Sequence, residues 1–349
     1  MNGDFFGWDI GGAHLKVASL DPSGRLLEVR QLACPLWQGL EQLDEACATL
    51  GLAGASASAV HAITMTGELC DIFHDRASGV REILARVTAQ LGPRASLRVY
   101  AGTDGWLTPD AAGAATAAVA SANWLALATL VAEFVRDGIL LDIGSTTTDV
   151  IPIEDGEVAS RGRDDATRLE FGELVYTGVV RTPVMAVCRK VPIQGRWQSL
   201  AAELFATMAD VYRLLGELDE SHDQLTSADG RAKDTTASAR RLARMLGRDL
   251  DHDATPEDMR GVAAYLAGQQ RRAIEDAVAV QASRATRRAH TLPLIGAGAG
   301  SFVAAQLACG SGREYLAFET LIGADAELAR AAALAAPAVA VAKLAWMTR

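Results

Sequence analysis

The 349-residue sequence contains few aromatic residues and few cysteines. Aromatic side chains make up 5% of the chain, and the five cysteines are scattered without a Cys-x-x-Cys pair. An odd, dispersed set of cysteines argues against a disulfide framework and against a zinc site built from cysteines. Because alanine is abundant instead, we expect many helices to pack closely through small side chains.

Long apolar runs and excess positive charge are also missing. The longest apolar stretch, residues 331–341, contains Pro337 and is shorter than the roughly 20 residues that cross a bilayer. The first residues lack the basic and apolar regions of a signal peptide. The formal net charge of −10 gives little attraction for nucleic acid or anionic membranes. We therefore expect a soluble cytoplasmic protein without a nucleic-acid or membrane partner.

The pattern of strands and helices occurs twice along a chain that is long enough for two domains. Three strands at 5–32 are followed by alternating helices and strands that end in a long helix at 114–136, and the same order begins again at residue 139. The sequence predicts an α/β fold in which one domain type is duplicated, with 1–136 and 137–349 as the two domains. A mostly helical insertion is expected in the second domain at about 185–290.

A glycine-rich hairpin opens each half. Residues 9–16 read DIGGAHLK, and residues 142–149 read DIGSTTTD. Glycine in a hairpin turn lets backbone amides approach phosphate oxygens, and an aspartate at the end of the first strand can hold the water shell of Mg²⁺. An ordinary hairpin turn also suits these glycines, but the occurrence of the pattern at both openings favours phosphate binding.

A third glycine-rich segment lies near the C-terminal end, where residues 294–301 read LIGAGAGS. Its order of strand, turn and helix resembles a dinucleotide fingerprint, although a lone glycine-rich turn specifies little. Its position after the two hairpins predicts that Gly296, Gly298 and Gly300 face a nucleoside or another flat group.

The three motifs, in this order, resemble those of the superfamily that contains actin, sugar kinases and 70-kDa heat-shock chaperones. There they are known as the phosphate 1, phosphate 2 and adenosine motifs. The resemblance covers most of the chain outside 185–290. It implies two actin-like ATPase domains of the ribonuclease H-like type, with a central cleft that holds a phosphorylated small molecule.

Six segments indicate one family within this superfamily. They are residues 7–13, 64–71, 122–126, 141–149, 180–183 and 226–231. They are similar to the hydantoinase/oxoprolinase-related family that occurs in tetrahydromethanopterin-linked one-carbon metabolism. Its members in methanogens include the synthase of methanofuran biosynthesis. His14 departs from the family pattern, in which a small polar residue is expected.

The resemblance implies an alkyl transfer in the biosynthesis of a methanofuran-type cofactor. An aminomethylfuran diphosphate would be joined to the phenol oxygen of a tyramine-like acceptor, with release of diphosphate. Mg²⁺ and backbone donors would stabilise the departing diphosphate, and a carboxylate would take the proton of a phenol whose pKa is about 10. ATP or ADP is not required for this reaction. The acceptor stays open among tyramine, γ-glutamyltyramine, tyrosine and a polyglutamyl form, and a homo-oligomer also stays open.

The implied roles fall on residues of the matching motifs. The expected metal carboxylates are Asp9 and Asp142. The expected phosphate contacts are Gly11, Gly12, Lys16, Gly144, Ser145, Thr146 and Arg181. The catalytic candidates are Asp9, Asp142, Asp149 and Glu68. The expected substrate or nucleotide contacts are Asn123, Gly296, Gly298, Gly300 and Lys233.

Several of these residues have an equally simple structural interpretation. Lys16 can point to solvent, Asp149 can bond within its hairpin, and Arg181 can form a surface salt bridge. Arg240 recurs with two further arginines every four residues, which is typical of a solvated helix face paired with acids. Lys233 is the better candidate for binding substrate, because loops over clefts often close on their ligands.

Two other classes of function stay open at this point. The first is an ATP-dependent small-molecule kinase or a hydantoinase/oxoprolinase-like enzyme that uses ATP, which the glycine turn at 296–300 favours. The second is a non-catalytic, nucleotide-gated protein like actin or a chaperone. We rank it last, because the chain lacks the separate peptide-binding domain that a chaperone needs. Fold alone does not separate these functions.

Overall fold

The computed structural model describes residues 1, 3–51, 59–93, 95–284 and 291–349, so the end of the predicted insertion, 285–290, lies outside the described residues. Within them the strands are β1 (Phe5–Ile10), β2 (His14–Leu20), β3 (Leu26–Ala33), β4 (Val60–Met65), β5 (Ser96–Tyr100), β6 (Trp106–Leu107), β7 (Gly138–Ile143), β8 (Thr148–Glu154), β9 (Glu157–Val158), β10 (Leu174–Val175), β11 (Lys190–Ile193), β12 (Arg196–Ser199), β13 (Leu294–Ala297) and β14 (Tyr315–Ala317).

The helices of the described residues are α1 (Glu41–Leu50), α2 (Arg76–Leu91), α3 (Pro109–Ala114), α4 (Thr116–Val119), α5 (Asn123–Ala132), α6 (Asp165–Glu170), α7 (Val184–Val187), α8 (Met208–Leu215), α9 (Thr235–Met245), α10 (Pro256–Ala282), α11 (Ser301–Ser311), α12 (Phe318–Leu321), α13 (Ala329–Leu334) and α14 (Ala336–Met347). Short 3₁₀ helices lie at Leu36–Gln38, Gly67–Leu69, Gly102–Asp104 and Glu220–His222.

The chain forms two compact units, and each unit combines separate stretches of sequence. The first contains residues 1–137, 153–159 and 317–349, and the second contains 138–152 and 160–316. This partition differs from the predicted domains chiefly at the C-terminal end. Residues 317–349 were predicted in the second domain, and they lie in the first unit.

The C-terminal helix α14 joins the first unit because it packs directly on β1. Gly7 lies at the contact: a Cβ there would be 1.9 Å from the carbonyl oxygen of Ala338 and 2.8 Å from the Cβ of Ala342. Small side chains on the helix and a glycine on the strand therefore let the two backbones approach closely, as the alanine-rich composition predicts.

The first unit is built on a six-stranded sheet in the order β3-β2-β1-β4-β5-β6. Strands β1, β2 and β3 form an antiparallel meander, β4 runs parallel to β1 and β5 parallel to β4, and β6 pairs antiparallel with β5. On the face opposite α14, Trp8 and Ile10 enter an apolar core with Leu43 of α1 and Ile83 of α2. Parallel pairing puts the carboxyl ends of β1 and β4 at the same edge of the sheet, where α/β folds place their ligands.

The second unit repeats this arrangement with a sheet in the order β10-β8-β7-β13-β14. Here β13 runs parallel to β7, as β4 does to β1, and β10 runs antiparallel to β8, as β3 does to β2. The prediction of an α/β fold that uses one domain type twice is confirmed. The predicted third strand at 157–160 is only the short β9, which pairs with the end of β8, and β10 takes the third position instead.

The predicted long helix at 114–136 is wrong, because the structure has α3, α4 and α5 in its place. The chain turns at Ser121, whose φ of 51° is left-handed and cannot continue a right-handed helix. The predicted insertion also begins with a two-stranded sheet, β11 and β12, before its helices start.

Helices α8, α9 and α10 of the insertion pack together around buried charges. The carboxylate of Asp210 accepts hydrogen bonds from the guanidinium of Arg241 at 2.7 and 2.9 Å, and it lies 3.5 Å from the guanidinium of Arg213. All three side chains are buried. Arg213 also binds Glu220 and Asp223, at 2.7 and 2.8 Å, so these arginines hold the loop after α8 to the helices.

A buried histidine lies on β4 in the core of the first unit. Trp8 Nε1 donates to His61 Nδ1 at 3.2 Å, and the His61 ring stacks on Phe6 with the centroids 5.0 Å apart. Burial lowers the pKa of His61 to about 4. Since indole can only donate, Nδ1 must accept, and His61 is held in its neutral form.

We expect this histidine to make folding stability fall as the pH is lowered from about 6.5 to about 4. In that window the unfolded chain binds a proton at His61 that the folded protein excludes, so the lost stability approaches about 3 kcal/mol. Urea unfolding between pH 7 and pH 4 measures the loss. A His61→Gln variant should show a flatter pH dependence, and equal slopes for the two proteins would contradict the prediction.

No helix in the described ranges combines the length and apolar character that a membrane crossing requires.

Candidate active site

The hairpin at residues 9–16, which we call the first glycine hairpin, has a tight turn. The amide of Gly11 donates to the carbonyl of His14 at 2.9 Å. The amides of Gly12 and Ala13 donate to no acceptor in the part of the chain that the structure describes. A Cβ at Gly12 would lie 2.8 Å from the sulfur of Cys70. Two neighbouring amide donors in a glycine turn are typical of an anion-binding loop.

Asp9 lies near the end of β1, between two polar residues of the neighbouring strands. It pairs in register with Lys16 on β2 and with Thr64 on β4, so the three side chains share one face of the sheet. Lys16 Nζ lies 4.0 Å from a carboxylate oxygen of Asp9, and its side chain is 20% exposed. Thr64 Oγ1 is buried and has no hydrogen-bond partner among the described residues. The cluster therefore places the oxygen atoms of Asp9 and Thr64 and the ammonium group of Lys16 near one end of the strands.

Glu68 follows β4 in the 3₁₀ helix Gly67–Leu69 and is 1% exposed. Its Oε1 accepts a hydrogen bond from the hydroxyl of Ser121 at 2.7 Å. A Cβ on Gly67 would lie 3.1 Å from the carbonyl oxygen of Ile10, so the backbone next to Glu68 touches the start of the first glycine hairpin. Glu68 is thus a buried carboxylate beside the hairpin.

The second glycine hairpin, residues 142–149, repeats the turn of the first. The amide of Gly144 donates to the carbonyl of Thr147 at 2.8 Å. The amides of Ser145 and Thr146 donate to no acceptor within the described residues, and the buried Oγ of Ser145 has no partner there either. Two amides and a hydroxyl with unused hydrogen-bonding capacity suit phosphoryl oxygens.

A chain of buried hydrogen bonds supports the second hairpin from behind. A Cβ at Gly178 would lie 2.4 Å from the carbonyl carbon of Ser145 and the nitrogen of Thr146, so only glycine fits there. Gln270 of α10 donates to the carbonyl of Gly178 at 2.9 Å, and the hydroxyl of Tyr212 on α8 donates to Gln270 at 2.6 Å. The helices of the insertion therefore fix the backbone behind the hairpin.

The third glycine motif packs against the second hairpin inside the same unit. Gly298 has a φ of +81°, and a Cβ there would lie 2.4 Å from both Asp142 Oδ1 and the carbonyl oxygen of Ile143. The amide of Gly300 donates to that same carbonyl at 2.8 Å. Gly296 packs in a similar way against the ring of a tyrosine in β14. Close packing therefore accounts for the absence of a larger side chain at all three positions. The turn lies beside the Asp142 carboxylate.

Asp149 is bound by an arginine that the sequence analysis did not single out. Arg168 Nη2 donates to Asp149 Oδ1 at 2.5 Å, and the side chain of Arg168 is 2% exposed. Burial raises the pKa of Asp149, and the charge of Arg168 opposes that rise. Since its carboxylate is engaged by this buried pair, the geometry favours a structural role for Asp149 over that of a base.

Three further predicted contacts lie in different surroundings. Lys233 Nζ donates to the carbonyl of Asp223 at 2.6 Å and lies 3.1 Å from its carboxylate, which ties the loop to itself. The side-chain oxygen of Asn123 accepts from the amide of Trp124 at 2.8 Å, at the start of α5. The Arg181 side chain is exposed, and its amide donates to the backbone of the second hairpin at 2.8 Å. Of the three, Arg181 is the one joined to a glycine hairpin.

Asp9 and Asp142 suit a magnesium ion that is bound mainly by water and substrate phosphate, and they do not suit a metal held entirely by protein ligands. The described ranges contain no group of three His, Cys, Asp or Glu side chains that could hold a metal. Mg²⁺ usually keeps several waters and binds through one or two carboxylates and a substrate phosphate. Asp9 and Asp142 are each the second-last residue of the first strand of a unit, near amides suited to phosphate, so either carboxylate fits this mode.

Sequence reasoning missed Thr64, Ser121, Arg168 and Gly178 as parts of these sites. Thr64 lies inside the matching segment 64–71, and Ser121 directly precedes 122–126, so position relative to those segments could have drawn attention to both. No spacing pattern distinguishes Arg168 or Gly178 from their neighbours, since their importance comes from contacts with distant strands.

Comparison with known proteins adds independent information on ancestry. The chain is 33% identical over 246 residues to the (4-{4-[2-(gamma-L-glutamylamino)ethyl]phenoxymethyl}furan-2-yl)methanamine synthase of Methanocaldococcus jannaschii, which covers 70% of this chain and 72% of the relative. It is 35% identical over 133 residues to the synthase of the same name from Methanococcus vannielii, which covers 37% of this chain and 60% of that protein.

Among solved structures, the nucleotide-free structure of acetone carboxylase superposes with a TM-score of 0.56 at 12% identity, over 88% of this chain and 67% of that one. That likeness concerns the fold alone. The hydantoinase/oxoprolinase family model matches residues 59–348, a range that takes in Glu68, the second glycine hairpin and the third glycine motif. Since the match covers most of the chain and agrees with the relationship to the two synthases, the protein belongs to the hydantoinase/oxoprolinase family.

Proposed function

We propose that the protein is a transferase that joins a furfuryl diphosphate, such as an aminomethylfuran diphosphate, to the phenol oxygen of a tyramine derivative. The observation that carries the proposal is the 33% identity over 70% of the chain to a synthase named for a phenoxymethyl-substituted furan methanamine. The unused amide donors of each glycine hairpin suit the diphosphate that such a reaction releases.

The reaction that we propose exchanges one carbon–oxygen bond for another. The bond between the furfuryl CH₂ and diphosphate breaks, and diphosphate leaves with the electron pair. The furan oxygen stabilises the positive charge that develops on the CH₂ group. The phenol oxygen then forms the new ether bond to that carbon, and the phenol proton passes to a base.

The departing diphosphate needs hydrogen-bond donors and positive charge that are in place before the bond breaks. Each hairpin has donors that we assign to phosphoryl oxygens: the amides of Gly12 and Ala13 in the first, and the amides of Ser145 and Thr146 with the Ser145 hydroxyl in the second. Within the first unit, Lys16 supplies positive charge beside Asp9. Asp9 or Asp142 would hold Mg²⁺, which when bound supplies further charge neutralisation for diphosphate. Preorganised donors of this kind stabilise developing negative charge without further rearrangement.

We assign the role of base to Glu68. Its carboxylate is buried, it follows the carboxyl end of β4, and its backbone neighbour touches the first glycine hairpin. A free phenol with a pKa of about 10 is mostly protonated at neutral pH, so a carboxylate within reach would assist its attack. Asp149 is a weaker candidate, because Arg168 already occupies its carboxylate.

An ATP-dependent small-molecule kinase, or an ATP-using enzyme of the hydantoinase/oxoprolinase type, is the alternative. The specific observation that favours it is the third glycine motif, which lies against Asp142 and follows the order expected of an adenosine motif. The amides of the second glycine hairpin, beside that motif, would then bind phosphates of ATP.

Thermal unfolding with Mg²⁺ and one of ATP, ADP or diphosphate separates the two functions. A ligand present at a hundred times its Kd should stabilise the protein by about 2.7 kcal/mol. We expect stabilisation by diphosphate, and we expect Ser145→Ala to weaken its binding by about tenfold or more, since hydrogen bonds to charged groups contribute about 1.5–3 kcal/mol. The exposed Ser283→Ala, at the end of α10, serves as the control.

Product formation is the decisive test. The protein should convert a furfuryl diphosphate and a tyramine derivative into their ether, identified by mass spectrometry, with one diphosphate released for each ether formed. Stabilisation by ATP or ADP well beyond that by diphosphate, without ether formation, would overturn the proposal in favour of the kinase.

A further inference from the structure

Ser121 adopts a backbone conformation that serine rarely adopts. It lies in the junction between α4 and α5 with a φ of 51°, and it is 6% exposed. The left-handed region is populated mainly by glycine and, less often, by asparagine or aspartate, because a Cβ crowds the following carbonyl there. Glycine would therefore make this turn with less strain.

The serine hydroxyl makes a contact that glycine could not make. Ser121 Oγ donates to Oε1 of Glu68 at 2.7 Å, and both residues are buried. The two are 53 residues apart in sequence, so the bond joins the α4–α5 junction to the carboxyl end of β4. Strained backbone of this kind persists where surrounding structure holds it, and it occurs often at functional sites.

The backbone of Glu68 is closely packed against neighbouring elements. A Cβ on Gly67 would lie 3.1 Å from the carbonyl oxygen of Ile10 and 3.3 Å from the carbonyl carbon of Gly11. On α2, a Cβ on Gly79 would lie 2.7 Å from the carbonyl oxygen of Glu68 and 2.8 Å from its Cα. Two glycines thus let the first hairpin and α2 pack closely on this residue from different sides, and Ser121 bonds to its carboxylate.

We propose that Ser121 is a positioning residue that aims the Glu68 carboxylate at the phenol oxygen of the acceptor. The proposal rests on the proposed function, in which Glu68 takes the phenol proton. With Oε1 held by the serine hydroxyl, the carboxylate cannot rotate freely, and its orientation toward the substrate is set before binding. Such preorganisation acts on the chemical step rather than on substrate affinity.

The test compares Ser121→Gly with Ser121→Asn. Ser121→Gly removes the hydroxyl and relieves the backbone, two changes with opposite effects on stability, so its Tm should stay close to that of the wild type, while kcat for ether formation falls by about tenfold or more. The KM values for both substrates should stay within about twofold. Asparagine tolerates the left-handed region and carries an amide donor, so Ser121→Asn should recover much of the lost kcat.

Asp155→Gly provides a matched control for strain relief. Asp155 is also left-handed, with a φ of 54°, and it is exposed in the turn between β8 and β9. This variant should raise or preserve the Tm and leave kcat unchanged. A Ser121→Gly protein with wild-type kcat, or with a loss of kcat that Ser121→Asn does not reduce, would overturn the proposal.

A spectroscopic readout separates this inference from the proposed function. The carboxyl carbon of Glu68 can be observed by ¹³C NMR and assigned by its absence in Glu68→Gln. Its resonance should move in Ser121→Gly and return toward the wild-type position in Ser121→Asn. Wild-type protein that forms no ether would refute the proposed function, whereas an unmoved resonance would refute the positioning contact itself.

Discussion

Replacing Glu68 by glutamine is expected to lower kcat for ether formation by about 10²- to 10⁴-fold, the usual contribution of a positioned acid or base. Glutamine has nearly the same shape, and its amide oxygen can still accept the hydrogen bond from Ser121. It cannot take the phenol proton. The substitution therefore removes the chemistry of a residue that is 1% exposed while leaving most of its packing in place.

The measurement is steady-state kinetics on purified variants, with unfolding temperature recorded in parallel. Glu82 is a suitable control because it lies on the exposed face of α2, the helix that packs beneath Glu68. Glu82→Gln should leave kcat unchanged. If Glu68→Gln retains more than about a third of the wild-type kcat, Glu68 is not the base. A neutral glutamine that supports full turnover would direct attention to the other carboxylates of the hairpins.

Replacing Arg241 by methionine is expected to destabilise the fold by about 3 kcal/mol, because the buried Asp210 carboxylate loses the guanidinium that bonds to it directly and keeps only that of Arg213, 3.5 Å away. Arg241 and Asp210 are both nearly inaccessible to solvent, and two guanidinium nitrogens donate to one carboxylate oxygen at 2.7 and 2.9 Å. Breaking such a pair is costly even where the intact pair adds little net stability, since the remaining charge stays desolvated.

Urea unfolding measures this effect, and the neighbouring residue supplies the control. Arg240 lies on the exposed side of the same helix, so Arg240→Met should change the free energy of unfolding by less than about 0.5 kcal/mol. The double variant Asp210→Leu with Arg241→Met should lose less stability than the two single losses together. Equal stabilities for Arg240→Met and Arg241→Met would contradict the assignment of a buried pair.

The two arginines illustrate where sequence periodicity succeeds and where it stops. The four-residue spacing of Arg240, Arg244 and Arg248 predicts a solvated face, and Arg240 is exposed as that interpretation requires. The same spacing assigns nothing to Arg241, which lies one position away and points into the insertion. Whether an arginine is surface or core depends on which carboxylate the tertiary structure brings to it, here Asp210 on another helix.

Helix prediction shows a similar limit. An alanine-rich run favours helix at every position from 114 to 136, because local propensity contains no signal for a break. The helices break at Ala115 and again near Ser121, where a left-handed backbone coincides with a hydroxyl that bonds to Glu68. At Ser121 a contact with a residue far away in the sequence accompanies the departure from local helix preference.

The sequence by itself determined the α/β class, the duplication and the positions of the two glycine hairpins, since strand alternation and glycine turns are encoded over a few neighbouring residues. Only the tertiary structure decided which side chains serve those hairpins. Ser121 meets Glu68, Arg168 occupies Asp149, and α14 packs on β1 in the first unit. Each of these contacts joins residues far apart in the chain, and spacing within a sequence carries no record of which distant partners burial will bring together.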